Sequence, residues 1–310
     1  MKIQLIDPFP DDMVAQLRQS GAKVGFTPDV SPEEVYSLVS DADIIIMNSK
    51  VPADIKLLEA APQLKLVCRA GVGMDHFDLP LLASKGIEAF NTPGANAISV
   101  GEQAVGMLLA LMHNISKADR EVRQFLWNRE SNRGTELHGK TVGIIGYGNT
   151  GSAFARCLGG FGCRVLAYDK YKSGFASGHV VETTLEDLYR QADIISFHVP
   201  LTPETDNWGR GEFFSALAKP IWLLNLSRGQ VVRLQPLLEA VQSGKVLAVG
   251  LDVLENENMA KLTEVQRRVM EALMSTGRVL FTPHIGGWSH ESLKRINQAI
   301  VDHVVAFVCA

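Results

Sequence analysis

Residues 141–170 limit the fold of this chain more than any other stretch. Thr141-Val142-Gly143-Ile144-Ile145 is a short β-branched run that predicts a buried strand. Gly146-Tyr147-Gly148-Asn149-Thr150-Gly151 follows, a G-x-G-x-x-G. A helical pattern then runs through Phe154, Ala155 and Leu158 and stops at Gly159-Gly160. Arg164-Val165-Leu166-Ala167-Tyr168 predicts a second strand, which ends in Asp169. Each part has a physical task. Gly146 allows a tight turn, Gly148 lets the main chain approach a pyrophosphate, and Gly151 lets helix and strand pack closely. Asn149 and Thr150 open the helix, whose positive N-terminus suits the pyrophosphate. Asp169 stands 18 residues after Gly151 and can accept hydrogen bonds from both hydroxyls of an adenosine ribose. It would repel a 2′-phosphate, so NAD is favoured over NADP. Lys170 and Lys172 follow and read as solvated lysines, although they could soften that bias. A lone G-x-G-x-x-G often marks only a turn. Here strand, glycines, helix, strand and acid occur in the order the motif demands.

A chain of 310 residues has room for two domains. With 46% hydrophobic and 21% charged residues it reads as an ordinary globular protein with a sizeable core. The net charge of −4 and the lack of a basic run argue against nucleic acid as a partner. The opening Met1-Lys2-Ile3-Gln4-Leu5-Ile6 predicts a strand, not a signal peptide. No apolar run approaches about 18 residues, so no membrane span is expected. The four cysteines, at 68, 157, 163 and 309, form no C-x-x-C and read as thiols in a reducing cytoplasm. The eight histidines include no H-x-x-x-H pair, and no metal site is expected.

The first 95 residues alternate strands and helices, which implies a parallel sheet covered on both faces. Strands are predicted at 3–6, 43–47, 64–68 and 87–90. Helices are predicted at 11–19, from Ser31-Pro32-Glu33-Glu34 onward with a capping box, and at 53–61. Arg69-Ala70-Gly71-Val72-Gly73-Met74-Asp75 follows a strand end, where open α/β sheets bind ligands, and its glycines let amides face a small anion. Asn91-Thr92-Pro93-Gly94-Ala95-Asn96 reads as an interdomain crossing. One long helix is predicted over 99–123. Its first half is apolar almost all round, so it must be covered on more than one side, by the core or by a partner subunit. Later strands are predicted at 193–198, 221–226, 246–251 and 279–282, with helices at 185–191, 234–243 and 262–275. A last helix, 289–307, is free to return to the first domain.

Three residues follow strands of the sheet that carries the glycine motif: Arg228, Glu257 and His284. They fall on one rim, beside the nicotinamide end of a bound dinucleotide. Their types suit hydride transfer at an alcohol next to a carboxylate. Arginine grips a carboxylate through two parallel hydrogen bonds. Histidine takes the hydroxyl proton as hydride leaves the carbon. A carboxylate beside the imidazole orients it and raises its pKa. His198 also ends a strand, but no acid at a suitable spacing supports it as a base, and it reads as shaping the loop over the cofactor.

These motifs resemble the D-isomer-specific 2-hydroxyacid dehydrogenases, most of all the D-3-phosphoglycerate dehydrogenase branch. The resemblance rests on Arg69-Ala70-Gly71-Val72-Gly73, Asn91-Thr92-Pro93, Ser99-Val100-Gly101-Glu102, the glycine motif, and His198-Val199-Pro200-Leu201-Thr202. It continues through Ser227-Arg228-Gly229, Gly250-Leu251-Asp252-Val253 and Pro283-His284-Ile285-Gly286-Gly287, all in the family's order. It implies an α/β chain of two Rossmann-like, doubly wound parallel-sheet domains. The cofactor domain (96–285) would be inserted into a substrate domain split between 1–95 and 286–310.

The resemblance also implies NAD as cofactor, a 2-hydroxy or 2-keto acid as substrate, and a homodimer built on the cofactor domain. Val199, Leu226, Asp252 and Gly287 join the cofactor contacts, with Asp252 near the nicotinamide carboxamide. Asn48, Lys50, Arg69, Val72 and Gly73 become the substrate contacts. Three departures stand out. Asn258 replaces the proline that usually follows the catalytic glutamate, so Glu255 rivals Glu257, which the motif alignment favours. Arg233-Leu234 stands where two acids are common. Asn48 stands where the phosphoglycerate branch often has an arginine, which counts against 3-phosphoglycerate unless Lys50 and Arg69 compensate. The chain ends at Ala310 without the regulatory domain of some phosphoglycerate dehydrogenases, so serine feedback through such a domain is not expected. The same resemblance extends to NAD-sensing corepressors, which bind the dinucleotide without turnover, and to formate or phosphite dehydrogenases.

Overall fold

A computed structural model describes all 310 residues. The chain divides into two compact units, Met1–Asn96 with Ser289–Ala310, and Ala97–Trp288.

The first unit begins β1 (Lys2–Leu5), α1 (Asp11–Gln19), β2 (Lys23–Phe26), α2 (Pro32–Leu38) and β3 (Ile44–Met47). It continues α3 (Ile55–Ala60), β4 (Leu66–Arg69), α4 (Leu79–Ser84) and β5 (Glu88–Phe90). The strands form one parallel sheet in the order β2-β1-β3-β4-β5. Strand β3 is Ile-Ile-Ile-Met with every side chain fully buried, as a central strand covered on both faces requires. Each such side chain contributes about 1.5–3 kcal/mol on burial. Helix α2 starts with the predicted capping box: the Ser31 hydroxyl accepts from the Glu34 amide, and the Glu34 carboxylate accepts from the Ser31 amide at 3.0 Å. Two elements escape the sequence pattern. Strand β2 is the edge sequence Lys-Val-Gly-Phe, and α4 is a six-residue helix containing Pro80.

The second unit opens with α5 (Ala97–Met112) and α6 (Ile115–Val122). The single helix predicted over 99–123 is therefore broken. Asn114 takes a left-handed conformation (φ 55°), which asparagine tolerates better than most residues. The apolar spacing runs on through Ile115 and Val122, and so concealed the break. Helix α5 packs Val100, Ala104, Met107 and Leu108 into its own unit, whereas no residue of α6 is buried. Of the two covers the sequence pattern allowed for α5, the core of its own unit supplies one. The exposed apolar side chains cluster further on, at Ile115, Val122, Phe125, Leu126 and Trp127.

The sheet follows: β6 (Thr141–Ile145), α7 (Asn149–Cys157), β7 (Arg164–Tyr168), β8 (Val180–Glu182), α8 (Leu185–Gln191) and β9 (Ile194–Phe197). Then come α9 (Gly211–Ala216), β10 (Ile221–Asn225), α10 (Leu234–Gln242), β11 (Val246–Leu251), α11 (Glu264–Ser275) and β12 (Val279–Phe281). The edge strand β8 and the short α9 are also additions to the sequence reading. All pairings are parallel, in the order β12-β11-β10-β9-β6-β7-β8. Chain direction across the sheet reverses between β6 and β9, the switch point where a doubly wound sheet binds its ligand. One face packs Leu108, Phe154, Val165 and Leu224; the other packs Phe197, Phe213, Leu223 and Leu237.

The chain ends in α12 (His290–Cys309), which belongs to the first unit. Its Ile296, Ile300, Val301 and Val304 join Ile3, Leu5, Met13, Val14 and Leu17 in one core. No helix is long and apolar enough to cross a membrane.

Candidate active site

The glycine turn lies at the end of β6, on the switch point. Gly146 has φ +93°, and a Cβ there would lie 2.5 Å from the carbonyl oxygen of His198. A Cβ on Gly151 would lie 2.0 Å from the Gly146 carbonyl oxygen, so only glycine lets α7 sit this close to the turn. Gly148 is the N-cap of α7 and has no side-chain cap, and nothing lies within 4 Å of where its Cβ would be. The main chain there faces open space, and the first amides of the helix, from Asn149 and Thr150, lack a side-chain acceptor. That arrangement fits a dinucleotide pyrophosphate.

Asp169 closes β7. Its Oδ2 accepts from the Tyr147 amide at 2.8 Å and its Oδ1 from the Tyr171 amide at 2.9 Å. The carboxylate is thereby fixed beside the glycine turn with lone pairs left for ribose hydroxyls. Val199 Cγ1 comes within 2.9 Å of the Cβ position of Gly146, and Leu226 is buried just past β10.

The loops after β10, β11 and β12 carry Arg228, Glu257 and His284. His284 Nδ1 lies 2.9 Å from the Glu257 carboxylate, and both side chains are about half exposed (48% and 47%). With Nδ1 directed at the carboxylate, Nε2 is the nitrogen left to exchange a proton. The hydrogen bond to Glu257 raises the His284 pKa despite partial burial; the charges of Glu257 and Asp252 add to the rise, and Arg228 opposes it. For Glu257, burial favours the neutral acid, but the bond from His284 and the charges of His284 and Arg228 outweigh it and lower its pKa. Glu255 instead lies 3.9 Å from Arg233 Nη1, so the geometry selects Glu257 as the partner of His284.

Arg228 is set by a scaffold with no signature in the chain beyond its polarity. Asn225 is fully buried at the end of β10. Its Nδ2 donates to the Arg228 carbonyl at 2.9 Å, while its Oδ1 accepts from the Ser227 amide and hydroxyl. Arg228 Nη1 donates to the Ser227 carbonyl at 2.7 Å.

Asp252, expected near the nicotinamide carboxamide, is held by the turn that follows β12. It is 2% exposed, and its carboxylate is turned into its own neighbourhood. Oδ1 accepts from the Thr282 hydroxyl (2.5 Å) and the Ile285 amide (2.9 Å), and Oδ2 from the Gly286 amide (2.8 Å). Three donors converge on it because the chain turns sharply there: His284 has φ +55°, a strained value for a non-glycine residue. Gly287 is the next residue of the same turn, and Ser99 Oγ donates to the Gly286 carbonyl at 2.7 Å.

His198 is 7% exposed, with Nε2 2.8 Å from Ser196 Oγ and its ring 5.4 Å from that of Phe154. Burial pushes its pKa down to about 3, which keeps it neutral. It has no carboxylate partner.

The remaining predicted residues lie in the first unit. The Asn48 amide donates to Asp7 Oδ2 at 2.6 Å, joining the loops after β1 and β3. Asn48 Oδ1 accepts from Arg69 Nη1, which also donates to the Ala70 carbonyl at 2.9 Å. Asn91 Nδ2 donates to the Val72 carbonyl at 2.6 Å, and Thr92 donates twice to the Gly71 carbonyl, which fixes the turn leading into Gly73. Lys50 Nζ donates to the Pro28 carbonyl at 2.5 Å.

Residues 105–286 match the family described as D-isomer specific 2-hydroxyacid dehydrogenase, NAD binding domain. Over 304 residues the chain is 33% identical to a hydroxypyruvate reductase of Thermotoga maritima, covering 98% of this chain and 97% of that protein. Over 307 residues it is 31% identical to a D-3-phosphoglycerate dehydrogenase of Methanocaldococcus jannaschii; that match takes in 98% of this chain but only 57% of the longer protein. A solved structure of D-lactate dehydrogenase from Aquifex aeolicus, complexed with NAD and lactic acid, superposes with a TM-score of 0.84. It is 29% identical, and the match covers 99% of this chain and 95% of that one.

Proposed function

The chain belongs to the D-isomer-specific 2-hydroxyacid dehydrogenases, and on that premise we propose that it interconverts a small, unphosphorylated 2-hydroxy acid and its 2-oxo acid. NAD, the family's cofactor, supplies the hydride acceptor when bound. His284 Nε2 takes the hydroxyl proton in oxidation and returns it in reduction. Glu257 holds the imidazole by Nδ1 and favours its protonated form. Arg228 grips the carboxylate and aligns the reacting carbon. The observation that carries the reading is the 2.9 Å contact between His284 Nδ1 and Glu257, in loops at the same strand-end rim as the glycine turn.

The preference for an unphosphorylated acid rests on the first unit. Lys50 is bonded to the Pro28 carbonyl and Arg69 to Asn48, so both cations that were to replace the missing arginine at position 48 already have partners. The test is steady-state reduction of hydroxypyruvate, glyoxylate, pyruvate and the phosphorylated 2-oxo acid of 3-phosphoglycerate. An unphosphorylated acid should give the highest kcat/KM, and His284→Ala should lower its kcat by about a hundredfold to ten-thousandfold. A clear preference for the phosphorylated acid would overturn the substrate class. Tight NADH binding with no turnover of any acid would point to the sensor function instead.

We also propose that the chain is a homodimer. Phe125 is 98% exposed and Trp127 78%, next to Ile115, Val122 and Leu126. Five exposed apolar side chains within residues 115–127 are what an interaction surface needs, and a second copy of the chain is the partner that fits the family.

A further inference from the structure

The geometry points to Glu204 as a residue that sets the choice between NAD and NADP, by occupying the ammonium group of Lys170 across the end of β6. The inference rests on the reading of the glycine turn and Asp169 as the dinucleotide site.

In the sheet order β9-β6-β7, the glycine turn after β6 is flanked by two loops. One is the loop after β7, with Asp169 and Lys170. The other is the loop after β9, with Glu204. Lys170 and Asp169 belong to one tight turn, because Asp169 Oδ1 accepts from the Tyr171 amide. Lys170 Nζ donates to Glu204 Oε1 at 2.7 Å, and the Tyr171 hydroxyl donates to Glu204 Oε2 at 2.8 Å. Each carboxylate oxygen thus takes one partner from the loop after β7, and the two loops are joined over the crevice where the sheet changes direction.

Glu204 is held for this task. The Thr202 amide donates to Thr205 Oγ1 at 2.8 Å, and Thr205 Oγ1 donates to the Pro200 carbonyl at 2.6 Å, so Glu204 rides on a turn pinned at both ends. The bonds from Lys170 and Tyr171 keep its carboxyl below the usual range, and the bond to Glu204 raises the Lys170 pKa, so both stay charged.

A 2′-phosphate would bring negative charge to the ribose edge that Asp169 faces. The cations of this turn are Lys170 and Lys172. Lys172 Nζ lies 3.4 Å from the Tyr147 carbonyl, and Lys170 is engaged by Glu204. With Glu204 in place, Asp169, Lys170, Lys172 and Glu204 carry no net charge together. Without it they carry one positive charge, on a side chain released beside the ribose site. Glu204 therefore reinforces the discrimination that Asp169 begins. Lys170 is solvated, as read from sequence, with its side chain 52% exposed; the pairing with Glu204, which spans 34 residues and left no local signal, is what the fold adds.

The test is calorimetric titration of adenosine 5′-monophosphate, adenosine 2′,5′-bisphosphate, NADH and NADPH into the whole protein. It compares wild type, Glu204→Gln, Lys170→Met and the double variant, with the thermal midpoint recorded for each. In Glu204→Gln the affinity for the bisphosphate relative to the monophosphate should rise about fivefold at low ionic strength and less at high salt. NADPH relative to NADH should follow, and the gain should vanish in the double variant. A ratio unchanged in Glu204→Gln, with NADH affinity retained, overturns the inference alone. So does a gain that persists without Lys170. A wild type that binds neither dinucleotide overturns the cofactor reading and this inference with it.

Discussion

The main-chain N–H of His284 donates to the main-chain carbonyl of Asp252 at 2.8 Å, and the Asp252 carboxylate takes the next two amides, of Ile285 and Gly286. The imidazole is therefore aimed by a buried acid that does not touch it. Asp252→Asn keeps the shape but removes the charge and replaces one acceptor oxygen with an NH₂. It should lower stability by about 1–3 kcal/mol, the cost of leaving a buried group unsatisfied. It should also move the His284 titration to lower pH, because the Asp252 charge helps to raise that pKa. The check is a denaturant melt together with a pH profile of kcat/KM. A loss of stability with an unmoved profile would make Asp252 purely structural.

Glu257→Gln should act through pH in both directions of reaction. The His284 pKa is raised by its bond to Glu257, and Gln removes the charge behind that rise. Oxidation needs the neutral imidazole, so the acidic limb of kcat/KM should shift to lower pH in the variant. Reduction needs the imidazolium, so the alkaline limb should also shift to lower pH. The pair has a matching stability window. The histidine part is full below its ordinary pKa of 6.5 and fades as pH rises through the raised value. The glutamate part is full above its ordinary 4.5 and fades as pH falls through the lowered value. Rate profiles in both directions with one acid pair provide the test.

Arg228→Lys should keep the charge and lose the planar fork. KM for the acid should rise on the order of ten- to a hundredfold, the scale of a lost charge-assisted hydrogen bond. The kcat should fall as well, because the reacting carbon is less well aligned. NADH affinity, measured separately, should hold, since the glycine turn and Asp169 are untouched. Equal loss of NADH binding would assign Arg228 to the cofactor rather than to the acid.

Phe125→Asp together with Trp127→Asp should break the proposed dimer. Sedimentation of wild type at micromolar concentration should give twice the 33.9 kDa of one chain, and the double variant should move toward the single mass. A wild type that sediments as one chain would leave the exposed patch without its proposed partner.

The glycine turn and the strands under it were legible because glycine, β-branched and acidic residues each had one physical use in that order. The meeting of Glu257 with His284 was legible from topology, since parallel strands put their following loops at one edge. What escaped was set by geometry that no local pattern carries. Asn114 broke a helix whose apolar spacing continued unchanged. Strand β2 has too few apolar residues to stand out, and it exists because β1 offers it a parallel edge in register from Lys2 with Lys23. Asp252 drew notice only through the family resemblance, which says nothing of the three donors that hold its carboxylate. Its inward turn depends on the left-handed His284, which only the folded chain reveals. The bond from Lys50 to the Pro28 carbonyl, 22 residues earlier, likewise had no signal in the local sequence.

Helix α12 has a consequence for how the protein is made. Its Ile296, Ile300, Val301 and Val304 complete a core with Ile3, Leu5, Met13, Val14 and Leu17. During synthesis those partners leave the ribosome before and after the whole contiguous unit Ala97–Trp288, which emerges between them. The inserted unit can therefore finish folding while the earlier one still shows an apolar face around α1. A nascent chain stalled before residue 289 should accordingly attract chaperones through the segment around α1, and α12 acts as the closing piece of a unit begun before the inserted one.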